Sequence, residues 1–180
     1  MNAPPTNTRP CHARVGLTLV EAVLSLLVLA VLATASLSAI SQSRAARSAV
    51  DEQSKGAALA RSFLGEITAL PYMESSSTTI GVDGGENASD RTTFDDVDDY
   101  NGFSEAPCIG LDGKTIDGTD LWKRSVVVAW VPVSANTTTT TSDTGLKRIW
   151  VTVSHNGREV TRLTGLRGKA WDDMLTAGGF

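Results

Sequence analysis

The side chain with the clearest chemical potential is Glu21, a carboxylate inside a long apolar stretch. From Leu17 to Ile40 it is the only ionisable side chain in about 24 residues, and a helix of that length would be roughly 36 Å long, enough to cross a bilayer core of about 30 Å. An ionised group at membrane depth costs at least a few kcal/mol, so it usually marks a function and has a partner. The sequence therefore has to supply a cationic partner for Glu21.

The residues before Glu21 supply a candidate for that partner. A cut between Gly16 and Leu17 would free an α-amine about one helical turn from Glu21. In a helical assembly, the carboxylate could instead meet the amine of a neighbouring copy. Two other interpretations stay open: an ordinary signal-anchor helix, and a secretory signal cut after Ala-Thr-Ala at residues 33–35. The acid in the apolar region and the helical pattern that continues past Ser41 argue against the secretory signal.

A short basic leader, then Gly-Leu-Thr-Leu-Val-Glu at residues 16–21 and a long apolar run, resembles the cleavage and methylation signal of type IV prepilins and pseudopilins. Leu17 departs from the Phe that more often follows the cut. The resemblance implies that a prepilin peptidase cuts after Gly16 on the cytoplasmic side and methylates the new amine of Leu17. It also implies that Glu21 brings the subunit into register in a filament.

The resemblance carries expectations about fold, location and partners. It implies an α+β, pilin-like fold in which a long N-terminal helix, membrane-spanning in its first half, packs on a small antiparallel β-sheet. The subunit, a minor pilin or a type II secretion pseudopilin, would cross a bacterial inner membrane once with its C-terminal domain outside the cytoplasm, then join a filament in the periplasm or at the cell surface. Expected partners are prepilin peptidase, other pilins or pseudopilins, the inner-membrane assembly platform and membrane lipid. No enzymatic activity is expected, and the alternative is a monomeric membrane-anchored or secreted binding domain.

The residues themselves predict four parts of the chain. These are a leader at 1–16, the membrane half of a helix at 17–40, its amphipathic half at 41–71, and a β domain at 72–180 with a long polar, Asp-rich connecting loop. In the amphipathic half, apolar residues recur at spacings of three, four or seven from Ala46 to Ile67, which predicts one buried stripe. Pro71 ends the helix, because it disfavours helical geometry at Leu70.

Three strands are predicted near the C-terminus. Lys123–Val133 is apolar on both faces, so we expect it to be central. Leu146–His155 alternates, with Lys147, Ile149, Val151 and Val153 on one face. Asn156-Gly157 is a strong hairpin signal that leads into a last strand at Arg158–Leu163.

Three further segments are expected to be less regular. Residues 72–121 are rich in Ser, Thr, Gly and Asp, and we expect a surface segment there with at most a short strand or a turn of helix. Gly165 and Gly168 are expected to break the last strand. Residues 169–180 would then form a short helix or a loose tail.

The acidic cluster Asp95, Asp96, Asp98 and Asp99 places four carboxylates in five residues. A hard cation bound by oxygen ligands, such as Ca²⁺, would relieve their repulsion. The spacing does not match the helix-loop-helix calcium signature, which needs acids or amides at alternate positions followed by Gly. The alternative is a solvated turn or a helix N-terminus, which negative charge favours. We predict no cofactor, with Ca²⁺ at this cluster as the one alternative.

Composition argues against other functions. The chain has 16 basic and 20 acidic residues and a net charge of −4, so we do not expect a nucleic-acid partner. One local set of arginines keeps that alternative open: Arg148, Arg158, Arg162 and Arg167. Removal of the leader takes Cys11 away, and Cys108 alone cannot form an internal disulfide. His155 and Cys108 match no catalytic motif, and we expect a strand-end residue and a passive thiol.

Overall fold

The computed structural model describes residues 18–74, 79–135 and 137–177. Its described elements are, in chain order, α1 (Leu19–Ala69), β1 (Ser104–Glu105), β2 (Trp122–Trp130), β3 (Leu146–His155), β4 (Arg158–Gly168) and α2 (Lys169–Ala177), with short 3-10 turns at Arg91–Thr93 and Asp98–Tyr100. The strands pair antiparallel in the order β1-β2-β3-β4. The predicted α+β arrangement, a long N-terminal helix packed on a small antiparallel sheet, is confirmed.

Both ends of α1 have local causes. At its start, the Glu21 backbone N–H donates to Thr18 Oγ1 at 3.3 Å, which is the geometry of a helix N-cap. At its end, Pro71 restricts the backbone of Leu70, and the helix stops one residue earlier. The sequence predicted a helix from residue 17 to residue 70, and Leu17 lies outside the described residues.

The chain divides into two compact units, one ending at Arg47 and one beginning at Ser48. In the first unit every described residue is exposed, and an apolar window of α1 has a mean hydropathy of 2.4. By length and composition, α1 can cross a membrane. The second unit contains the described strands and the buried core.

The core of the second unit lies between the C-terminal part of α1 and the inner face of the sheet. Ala60, Phe63 and Ile67 are wholly buried, at the spacing of one helical face. The sheet residues in the same cluster include Val126, Val128, Ile149, Val151 and Val153. The buried stripe is shorter than predicted, because Ala46 and Val50 are exposed and full burial starts at Gly56.

The central hairpin of the sheet follows the sequence pattern closely. β3 has the predicted bounds, and its buried face carries the predicted Lys147 and aliphatic residues. Asn156 and Gly157 form the turn with φ angles of 50° and 78°, as the hairpin signal requires. β2 lies between β1 and β3, so its predicted central position is confirmed, although it ends at Trp130. Its second apolar face is uncovered, and Val127 is 53% exposed.

The last strand is longer than predicted. β4 continues to Gly168, and Gly165 pairs with Ile149 inside the strand instead of breaking it. A Cβ atom at Gly165 would lie 2.8 Å from Leu64 Cδ1 on α1. Gly165 therefore marks a close approach of helix and strand, which is a recognised reason for glycine in a strand.

The prediction that residues 72–121 form a surface segment is wrong, because several aromatic side chains of these residues belong to the core. Phe94, Tyr100 and Phe103 are buried; Tyr100 and Phe103 contact the ring of Phe63 on α1, and Phe94 packs against both of them. Their ring pairs are edge-on, with centroids 4.9–6.0 Å apart. Edge-to-face packing of this kind stabilises beyond the area buried. Because residues 72–121 are mostly polar, the sequence did not indicate that these few aromatic side chains are buried.

The C-terminal residues form the short helix α2, up to Ala177. Trp171 on α2 is 55% exposed, whereas Trp122 and Trp130 belong to the buried face of β2. The alternative of a loose tail can be judged only up to residue 177, since residues 178–180 lie outside the described residues.

Candidate functional site

Glu21 lies in the first turn of α1 and is exposed. The order Thr18-x-x-Glu21 is that of a capping box, in which a Thr side chain accepts the N–H of the residue three positions on. The structure contains that hydrogen bond, at 3.3 Å. Glu21 can therefore help start the helix while its carboxylate stays open to another partner. Gly16 and Leu17, the predicted cleavage and methylation residues, lie outside the described residues.

The apolar half of α1 presents large hydrophobic side chains on every side. Twelve of them from Leu19 to Ile40 are more than half exposed: Leu19, Val20, Val23, Leu24, Leu26, Leu27, Val28, Leu29, Val31, Leu32, Leu37 and Ile40. A helix that is apolar all round is stable only when it is covered by lipid or by other helices. Among the described residues nothing covers this one.

Three of the four clustered aspartates point into the protein. Asp96, Asp98 and Asp99 are at most 2% exposed, whereas Asp95 is exposed. Asp96 accepts the backbone N–H of Glu74 at 2.8 Å and that of Asp98 at 2.7 Å. Asp99 Oδ2 accepts the N–H groups of Asp95 and Asp96 at 3.1 and 3.0 Å. These carboxylates hold the backbone of the 3-10 turn together, so the turn is not the solvated one that was the alternative to a metal.

One oxygen group in this region has the spacing of a metal site. Ligand atoms of Glu86, Asp95 and Asp99 lie within 4.8 Å of one another. Burial raises the pKa of Asp99 to about 7, and burial together with the nearby carboxylates also raises the pKa of Asp95. A carboxyl group that keeps a proton near neutral pH, as Asp99 does, lowers the repulsion among these acids without a cation. The absence of a cofactor stays the prediction, and Ca²⁺ at Asp95, Asp96, Asp98 and Asp99 stays its alternative.

A buried ion pair joins the acidic segment to the sheet. The Lys147 ammonium donates to Asp98 Oδ1 and to the carbonyl oxygen of Tyr72, and the side chains of Lys147 and Asp98 are both 0% exposed. Burial raises the pKa of Asp98 to about 8, against the opposing effect of Lys147. The Tyr72 ring centroid lies 4.3 Å from Lys147 Nζ. Amine and carboxyl are thus enclosed together, away from water.

A second group of buried ion pairs lies next to the ring of Phe63. Glu105 accepts from Arg124, and Glu66 accepts a two-point contact from Arg91 at 2.8 and 2.9 Å. The Arg124 guanidinium also lies 4.1 Å from the centroid of the Phe63 ring. These charges are paired and enclosed, and they link α1 to β1 and β2. A removed partner would leave a buried charge uncompensated.

The structure does not bring the four arginines together as one basic face. Arg148 and Arg162 lie on the outer face of the sheet, and Arg148 packs over the Trp150 ring at 4.5 Å. Arg158 pairs with Glu52 at 2.9 Å, and Arg167 pairs with Asp172. Arg162 also pairs with Glu159 at 2.9 Å, so three of the four charges have acidic partners, which weakens the nucleic-acid alternative further.

His155 and Cys108, the two residues considered for catalysis, both contact other parts of the protein. His155 stacks on Trp122 with ring centroids 4.6 Å apart, and its Nδ1 lies 2.9 Å from Glu52 Oε1. Cys108 is wholly buried, and burial raises the pKa of its thiol, which disfavours the reactive thiolate.

Sequence reasoning missed the buried ion pairs. A signal for one of them was present, because Lys147 falls in the same alternation as Ile149, Val151 and Val153. A lysine on an apolar strand face needs an acidic partner, and the aspartate cluster at residues 95–99 offered four candidates. Arg124 has the same relation to the buried Val126 on β2. Glu105, its partner, comes from a segment without a recognisable pattern.

Comparisons with known proteins add no relative. No family model matches the chain, and searches of curated proteins and of solved structures found no significant match.

Proposed function

We propose that the protein is a pilin-like structural subunit, either a minor pilin of a type IV pilus or a pseudopilin of a type II secretion-type filament. The proposal rests on the prepilin-like residues 16–21, followed by a helix whose apolar half lacks any cover in the described chain. In it, prepilin peptidase cuts after Gly16 and methylates Leu17. The subunit then leaves the inner membrane through an assembly platform and enters a helical bundle of other pilins or pseudopilins.

The exposed apolar half of α1 carries the proposal. Full burial of one large aliphatic side chain is worth roughly 1.5–3 kcal/mol relative to water, so a dozen such side chains cannot leave lipid without new cover. Equivalent helices of neighbouring subunits provide that cover. Glu21, the only ionisable residue among 18–43, would then pair with the Leu17 amine of a neighbouring copy and fix the register.

The orientation in the membrane follows from the prepilin resemblance. Arg9 and Arg14 precede the apolar run, but Arg44 and Arg47 follow it, so the positive charges alone do not set the direction. A peptidase that cuts on the cytoplasmic side requires the leader to stay inside. The C-terminal domain would then lie outside the cytoplasm, as the proposal needs.

Cell fractionation with and without the peptidase tests the proposal. In cells that contain prepilin peptidase, we expect the subunit both in the membrane and in a sheared or co-purified filament fraction. In cells that lack the peptidase, we expect an uncut precursor confined to the membrane. An uncut chain with unchanged distribution in both strains would favour the alternative of a monomeric membrane-anchored domain. A soluble chain in both strains would favour a secreted binding domain.

A further inference from the structure

The pair of Lys147 and Asp98 has a chemistry that filament assembly does not use. The Lys147 amine lies against the Asp98 carboxyl, and neither side chain is exposed. Besides Asp98, Nζ contacts the carbonyl oxygen of Tyr72 and lies 4.3 Å from the centroid of its ring. A nucleophile and a carboxyl carbon are therefore held together in an enclosed, partly aromatic site.

The enclosed pair can exist in two forms that contain the same number of protons. One is an ammonium beside a carboxylate, and the other is a neutral amine beside a carboxylic acid. Removal from water penalises charged forms most strongly. Asp98 Oδ2 is buried and receives no hydrogen bond from the described residues, which suits an acid O–H better than a charged oxygen. Amine and acid are the forms that condense to an amide.

Asp96 supplies the group that such a condensation needs to move protons. Its side chain lies within hydrogen-bonding reach of the Asp98 carboxyl, and it is 1% exposed. The backbone N–H groups of Glu74 and Asp98 fix both of its oxygens, at 2.8 and 2.7 Å. Asp96 is thus a positioned proton acceptor beside the reacting carbon.

We propose that the folded chain joins Lys147 and Asp98 by an intramolecular amide bond. Lys147 Nζ attacks Asp98 Cγ, and the proton that leaves Nζ passes to the Asp96 carboxylate. Asp96 returns this proton to the Asp98 hydroxyl, which departs as water. One N–C bond forms and one C–O bond breaks, so the reaction needs neither an oxidant nor a cofactor.

The bond would tie β3 to the 3-10 turn at Asp98–Tyr100, two elements far apart in sequence. It constrains the unfolded chain as a disulfide does. The chain has no internal disulfide in its described part, where Cys108 is a free cysteine. The bond is independent of the filament proposal, because it concerns the C-terminal unit alone.

Peptide mass spectrometry of the full-length protein, purified in detergent and digested with trypsin, tests the bond. We expect the peptide 92–114 joined to the peptide 125–148, with trypsin failing to cut after Lys147 and a joint mass one water below the sum of the two peptides. A digest dominated by the separate peptides 92–114 and 125–147 would overturn the proposal. Because the result comes from the unaltered protein, it does not depend on whether a variant folds.

A matched pair of variants tests the role of Asp96. Asp96→Asn cannot accept the proton, so most of the chain should stay unlinked while circular dichroism still reports a folded protein. Asp95→Asn changes the adjacent exposed acid and should leave the bond complete. Full linkage in Asp96→Asn would overturn the proton-transfer role. Loss of linkage in both variants would show that the overall charge of the segment matters, and not Asp96 itself.

Discussion

Leu64 on α1 lies so close to Gly165 on β4 that a Cβ atom at residue 165 would be 2.8 Å from Leu64 Cδ1. The added Cβ atom at residue 165 would also lie 3.4 Å from Thr68 Cγ2. The absence of a side chain at this one strand position lets the helix settle onto the edge of the sheet. Contact between α1 and β4 therefore depends on a glycine that a pattern of strand propensities would count as a break.

Gly165→Ala should destabilise the protein. Overpacking costs roughly 1–3 kcal/mol, and the smaller backbone entropy of alanine returns about 0.5–1 kcal/mol, so we expect a net loss of about 1 kcal/mol. Urea unfolding followed by tryptophan fluorescence would measure it. Gly65→Ala on α1 is the matched control, since nothing lies within 4 Å of a Cβ there. It should stabilise by about 0.5–1 kcal/mol. A gain in both variants would refute the close approach.

Glu105→Ala should be far more destabilising than the loss of an exposed ion pair. It leaves the Arg124 guanidinium buried without its carboxylate, which typically costs about 3–5 kcal/mol. Glu159→Ala breaks the half-exposed pair with Arg162 and should cost less than about 1 kcal/mol. Denaturant midpoints of the two variants, measured side by side, give the comparison. Similar losses would mean that the buried pair has no special role in the core.

Stability should fall as pH rises from about 4 to about 7. Burial raises the pKa of Asp99 from its ordinary 3.8 to about 7, so the folded state holds a proton that the unfolded state releases. This contribution is complete below about pH 4 and is lost as pH rises towards about 7. Unfolding midpoints measured from about pH 5 to pH 8 would show it.

Two variants separate Asp99 from the other acids. Asp99→Asn should flatten the decline, because an amide oxygen can still accept a backbone N–H but carries no charge. Asp90→Asn should not, because hydrogen bonds from Thr92 hold the pKa of Asp90 below its ordinary value and its titration lies at lower pH. A decline that is equally steep without Asp99 would assign the effect to another group.

Calcium should leave the unfolding midpoint unchanged. Two oxygens of the Glu86, Asp95 and Asp99 group belong to acids with raised pKa values, and Asp99 already accepts two backbone N–H groups. Unfolding would be compared in excess Ca²⁺ and in excess chelator. A midpoint that rises with Ca²⁺ in the native chain, but not in Asp95→Asn, would establish the calcium site instead.

Glu21→Gln should keep the subunit in the membrane but prevent its incorporation into a filament. The substitution removes the charge that would pair with a neighbouring α-amine and keeps the size of the side chain. Thr18→Val is the control, because it removes the N-cap hydrogen bond at 3.3 Å and leaves the carboxylate in place. Chemical cross-linking in intact membranes would measure assembly. Equal loss in both variants would assign Glu21 to capping.

The regular elements could be predicted from the sequence because their causes are local. Alternation gave the bounds of β3, and Asn156-Gly157 placed the turn. The remainder depends on contacts between distant residues. The sequence alone predicts a strand break at Gly165, because the close approach of Leu64 is a contact between distant residues. It also favours solvated aspartates, because the burial of Lys147 beside Asp98 depends on the fold. The segment at 72–121 has no periodicity, so its core aromatics could not be told from exposed ones.

The mass of the N-terminus of the protein, isolated from its own membranes, tests the central claim most directly. The filament proposal predicts a chain that begins at Leu17 and carries one methyl group on its α-amine. A chain that begins at Ser36, or one that keeps its residues 1–16, would contradict that proposal.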